Sequence, residues 1–122
     1  MRRWLVFALM VLPLVVSCRG PQDVLVMNSD LREVFQPDGR KVGVLAAVVE
    51  NRTGDRVVVE YHVFLNGQFL AVSPNQQIFP QTANNQEFQI PLASGYNAVL
   101  LVANSTVNIL PSNTRSFVVF AP

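Results

Sequence analysis

The chain predicts an all-β sandwich of about 7–8 antiparallel strands after an N-terminal signal segment. Three observations lead there. Turn-forming clusters recur at Pro37-Asp38-Gly39, Asn51–Asp55, Asn66-Gly67, Ser73-Pro74-Asn75, Ala83–Asn85, Ser94-Gly95, Asn104-Ser105 and Pro111–Asn113, a spacing of roughly 8–12 residues that suits short strands. The segments between them are rich in Val, Leu, Ile and Phe and carry no sustained helical period. Eight prolines are scattered over the 122 residues, which disfavours long helices.

In chain order, Arg2 and Arg3 supply a positive start, and Trp4 to Val16 is an apolar run of 13 residues. That length suits a secretory signal and falls short of the about 20 residues of a membrane-spanning helix. Strands are expected near 24–28, 41–50, 56–65, 68–73, 86–91, 97–103 and 115–120, with 31–36 and 106–110 as further short edge strands. Residues 41–50 use Gly43, Ala46 and Ala47, which permit close packing. Residues 97–103 are apolar on both faces and read as a central strand.

The sharpest local signal is Asn66-Gly67. A two-residue type I′ loop needs positive φ at both positions, which Asn and Gly tolerate best. Taken literally, the loop pairs Leu65 with Gln68, Phe64 with Phe69, Val63 with Leu70 and Tyr61 with Val72. Tyr61, Val63, Leu70 and Val72 then face the core, and Glu60, His62, Phe64, Phe69, Ala71 and Ser73 form the other, half-solvated face. Residues 74–89 hold eight Asn and Gln and one charge, Glu87, and are expected mostly as loops.

Val15-Val16-Ser17-Cys18 closes the apolar run. It resembles the bacterial lipobox, with a branched aliphatic three positions before the cysteine and a small residue just before it. The resemblance implies that the Cys18 thiol is alkylated by diacylglycerol, that residues 1–17 are removed, and that the new N-terminus is acylated. A thiolate is the nucleophile such chemistry needs. Residues 18–23 become a lipidated tether and 24–122 the folded domain. The lipid puts the protein in the bacterial cell envelope. By resemblance to Gram-negative lipoprotein sorting, in which an aspartate after the cysteine retains the protein at the inner membrane, Arg19 implies the outer membrane, periplasmic or surface face, if the organism is Gram-negative.

After removal of residues 1–17, 105 residues remain, enough for one domain with a modest core. Seven Lys and Arg then face eight Asp and Glu, with no like-charge block, which offers nucleic acid no footprint. Cys18 is the one cysteine and Trp4 the one tryptophan, so neither a disulfide nor a tryptophan is expected in the core.

The segment Val48–Gly54, followed by Val57–Phe64 and Gly67, resembles small envelope lipoproteins of the YcfL type and the immunoglobulin-like modules called CARDB and FxLYD. Both place an Asn-containing turn before a Val/Tyr strand, then a Gly turn and an apolar return strand. The resemblance covers about residues 42–102 and implies an immunoglobulin-like β-sandwich with no demonstrated enzymatic role. Leu65 and Asn66 depart from the YcfL pattern, which has a tryptophan and an aspartate nearby.

Candidate sites are few. His62 is the one histidine, and with Glu60 and Ser73 it forms a weak hydrolase alternative lacking any glycine-rich elbow around the serine. No metal is expected, because one histidine and no spare cysteine cannot make a zinc set, and Asp38 and Asp55 lie in separate turns. No cofactor is expected beyond the lipid on Cys18. Phe64 and Phe69, with His62, Asn75 and Gln77, are the candidate partner contacts. The expected function is therefore a non-enzymatic binding or assembly module. Its membrane attachment is the lipid, and its partner an envelope protein or the cell-wall machinery. A spacer that self-associates through an edge strand is the alternative.

Overall fold

A computed structural model describes residues 23–122. The signal segment, Cys18 and the tether up to residue 22 lie outside the described residues. Eight strands follow: β1 (Leu25–Phe35), β2 (Lys41–Asn51), β3 (Val57–Leu65), β4 (Gln68–Ile78), β5 (Ala83–Pro91), β6 (Gly95–Asn104), β7 (Ile109–Leu110) and β8 (Thr114–Ala121). They form two four-stranded sheets, ordered β5-β2-β1-β7 and β4-β3-β6-β8. The chain is thus a β-sandwich, as its turn spacing predicts.

Alternation builds the core. Leu45, Ala47 and Val49 of β2 face Val59, Tyr61 and Val63 of β3 across the sandwich, and all six are fully buried. Val99, Leu101 and Ala103 extend this layer along β6, and Phe88 and Ile90 close it from β5. Tyr61 meets Phe88 edge-on at 6.4 Å, and its hydroxyl donates to Asn84 Oδ1 at 3.0 Å. Burial pushes that phenol up to about 12. Two cationic side chains fasten the sheets where β8 has no strand beside it. Lys41 Nζ donates to the Phe120 carbonyl at 2.7 Å, and the Arg115 guanidinium donates to the Met27 carbonyl at 2.8 Å.

Several expectations are corrected. Residues 24–28 and 31–36 are one strand, because the β1–β2 ladder continues unbroken from Leu25↔Asn51 to Phe35↔Lys41. Not every pairing is antiparallel: β7 crosses from the other sheet and lies parallel to β1 over two residues. Residues 74–89 are mainly strand, with only 79–82 as a turn. Strands β4 and β5 are sheet edges, and there exposed amide side chains alternate with inward residues such as Ile78, Phe88 and Ile90.

The hairpin itself forms, with positive φ at Asn66 and Gly67 and the pairs Leu65↔Gln68 and Phe64↔Phe69. The expected pairing then fails by one residue. Val63 pairs with Ala71, His62 with Val72 and Tyr61 with Ser73, because a bulge leaves Leu70 without a partner. An inserted residue reverses every side chain beyond it. Val72 therefore faces outward and Ser73 is buried, opposite to expectation. A second irregularity sets Pro74 and Asn75 against Glu60, and Asn75 takes positive φ there.

Candidate functional site

The outward face of β4-β3-β6-β8 gathers the candidate surface. Strand register sets its rows. Val72, His62, Val102 and Thr114 make one row, and Phe69, Phe64, Leu100 and Ser116 the next. Ala98 with Val118, then Tyr96 with Phe120, complete it. Phe64 and Phe69 meet edge-on at 5.9 Å, His62 and Phe69 at 6.2 Å, and Tyr96 and Phe120 at 5.1 Å.

Exposure is high for such side chains: Tyr96 77%, Val118 72%, Phe69 57%, Phe120 51%, Val72 42% and Leu100 36%. Among the strand positions on this outward face Glu60 is the one charged residue, and it sits at the border, 3.2 Å from His62 Nε2, while Arg56, just before β3, reaches Gln77 at the far end. From the His62 row to Phe120 the face carries no Asp, Glu, Lys or Arg. The opposite outer face differs, since Arg32 and Glu87 form an ion pair across it at 3.2 Å.

The structure brings His62, Phe64 and Phe69 together as one aromatic group. Asn75 and Gln77 are exposed on the same β4 edge but outside that group, and the Gln77 amide oxygen accepts a hydrogen bond from Arg56 at 3.4 Å. Ser73 and His62 point to opposite sides of the sheet, so they cannot act as nucleophile and base on one substrate. Sequence reading missed Tyr96, Leu100, Val118 and Phe120. The available signal was the unbroken apolar run Phe117–Phe120 on a strand with one covered face. The apolar run of β6 was readable too. β6 does lie centrally, between β3 and β8, yet its outward residues have no second layer over them.

The described residues begin at the other end of the sandwich. Arg52 N donates to the Val24 carbonyl at 3.1 Å, and an open depression of about 570 Å³ beside Asp23 is lined by Thr53, Arg56 and Val107, among others. The neighbouring turn is held by Asn51. Its buried amide nitrogen donates to the carbonyls of Asp55 at 2.8 Å and Ile78 at 2.9 Å. Its oxygen accepts from the Thr53 backbone at 2.8 Å and hydroxyl at 2.7 Å. Among the described residues no cluster of three or more His, Cys, Asp or Glu could hold a metal. No helix among them is long and apolar enough to cross a membrane.

The fold is a CARDB-like β-sandwich. A crystal structure of the CARDB domain of a Pyrococcus furiosus protein, in complex with di-metal ions, is similar to this chain with TM-score 0.60 and 20% identity. It covers 79% of this chain and 90% of its own. A solution structure of the same domain gives TM-score 0.58 and 18% identity, covering 80% of this chain and 95% of its own. No protein-family model matches the chain, and no curated protein matches it.

Proposed function

We propose that the chain is a lipid-anchored, non-enzymatic lipoprotein of the bacterial cell envelope, acting as a binding or assembly module. Acyl chains on Cys18 hold it at a bilayer, which in a Gram-negative organism is by Arg19 the outer membrane, and residues 18–23 carry the sandwich. Two or more chains suffice for stable attachment where one does not, at about 0.8 kcal/mol per buried methylene.

The observation that carries the reading is the uncharged apolar face running from His62 to Phe120. Such a face, fully wet, is a standing cost that a docked partner removes. Its chemistry fits an equally uncharged surface in an envelope protein assembly or the cell-wall machinery. Phe69, Phe64, Leu100 and Val118 are the central contacts, with His62 at the rim and Asn75 and Gln77 further along the β4 edge.

Native electrophoresis of the full chain extracted in mild detergent tests this. The wild type is expected to migrate in a particle larger than the monomer, and Val118→Glu at monomer size. Equal migration of both would remove the docking role. Intact-mass analysis tests the anchor separately, with a mature chain beginning at Cys18 and bearing lipid mass as the expected result.

A further inference from the structure

We infer that the outward face of β4-β3-β6-β8 packs against the same face of a second copy of this chain, with both tethers on one side. The inference deepens the docking reading above, on which it rests, and names the occupant of that face.

Area is the first argument. Whole aromatic side chains present about 200 Å². Scaled by the exposed fractions of Phe69, Tyr96 and Phe120, these leave about 370 Å² on the face. Val72, Leu100 and Val118 bring the total to about 500 Å², at about 100 Å² per whole aliphatic side chain. Two copies would bury about 1,000 Å², the size at which specific interfaces begin.

Composition is the second. The occupant must be apolar and uncharged, or it would strand its own charges against Phe64, Leu100 and Val118. The face itself meets that description. Two sheets stacked about 10 Å apart, crossing at about 30°, repeat the packing that already builds each sandwich. A bilayer is a poorer match, because interfacial faces combine apolar groups with Lys and Arg, and this face has neither.

Geometry is the third. Asp23 lies at the Val57–Val58 end of β3, β3 runs nine residues, and Tyr96 lies three residues beyond the Leu65↔Val99 pair at its other end, so Tyr96 and Phe120 stand about 35 Å from the tether exit. An isologous stack of two sheets has its two-fold axis in the interface plane. Only an axis parallel to the strands puts both tether exits on one side, as two chains anchored in one bilayer require. The Tyr96–Phe120 ends then meet each other, and the His62 rows meet each other. Confinement to the membrane holds the faces at equal height and raises their effective concentration. An interface at the lower size limit is thereby populated.

The test is photo-crosslinking of the full chain in living cells, with p-benzoylphenylalanine at Leu100, at Tyr96 and, as control, at Asn28 on the opposite outer face. The expected result is a species of twice the chain mass from Leu100 and Tyr96, at least tenfold above Asn28. It contains this chain alone and is lost when Val118→Glu is added. Val118 is solvent-exposed, so that change leaves the fold intact, and circular dichroism checks this. The Tyr96 probe is expected on the Tyr96–Phe120 end of the second copy. Capture at the Val72 end would overturn the same-side arrangement and with it the tether argument. Adducts to a different protein would overturn self-packing while leaving a docking face. Adducts to phospholipid, or none, would overturn both.

Discussion

Replacing Asn51 by alanine should destabilise the sandwich by about 3 kcal/mol. The side chain is wholly buried and makes hydrogen bonds to Asp55, Ile78 and Thr53 at 2.7–2.9 Å. With water replacing part of the lost bonding, the turn partners contribute about 1 kcal/mol net between them, and an orphaned buried carbonyl costs about 1–3 kcal/mol more. The Ile78 carbonyl is the group left orphaned, because Ile78 is buried in the core, whereas the Asp55 carbonyl lies in an exposed turn where water can replace the amide. About 3 kcal/mol corresponds to a Tm lowered by roughly 12–24 °C in a domain of this size. Urea unfolding followed by circular dichroism measures it, with the exposed β5 residue Asn85→Ala as a control expected within about 0.5 kcal/mol of wild type. The m-value should not change. A loss below about 1 kcal/mol for Asn51→Ala would refute the claim that this amide fixes the turn from β2 to β3. Because Arg52, the next residue, bonds Val24, the same variant should also loosen the tether exit, read as faster amide exchange at Leu25.

Other expectations follow from single positions. The Tyr61 phenol ionises near pH 10 in the unfolded chain and near 12 in the fold. Its contribution is therefore complete below pH 10 and is lost as pH rises from 10 to 12, at about 1.4 kcal/mol per unit. Tyr61→Phe should lack that added alkaline loss in urea midpoints measured across this range. A Cβ on Gly43 would stand 3.2 Å from Leu31 Cδ1 and 3.4 Å from Ile90 Cβ. Gly43→Val should therefore cost about 1–3 kcal/mol through overpacking, seen as a lower urea midpoint. Gly67→Ala has open space around it but φ of 81°, so it should cost about 1 kcal/mol through backbone strain alone. Cys18→Ala should abolish the lipid mass and leave residues 1–17 attached, read by intact-mass analysis, without changing the melting temperature of the folded domain.

Much of the fold was readable because its signals are local. Asn66-Gly67 names its own turn, and alternation in Val57–Val63 puts Val59, Tyr61 and Val63 inside without tertiary information. The bulge at Leu70 has no such signature, since an extra apolar residue in an apolar strand looks like any other. That single residue reversed the expected sides of Val72 and Ser73. Pro74 was a usable warning, because proline in a strand marks an edge or a bulge. The amide-rich stretch misled for a related reason. Its side chains lie along sheet edges, where polarity and strand pairing coexist. The parallel contact of β7 with β1 spans two residue pairs joined through the other sheet, which no local pattern encodes. As for the candidate surface, Phe64 and Phe69 followed from the hairpin. Leu100, Val118 and Phe120 did not, because apolar residues on both faces of a strand signal burial equally well. Which of those faces another layer covers is decided by sheet stacking.

The account turns on one surface being covered in the envelope, and hydroxyl-radical footprinting of the full chain in native membranes tests that most directly. Phe35 and Phe79 are exposed but lie off the face, so they serve as internal references. Protection of Phe69, Tyr96 and Phe120 by at least fivefold relative to those two is the predicted result. Equal labelling of all five rings would mean the face is open to water in its native setting, contradicting the account.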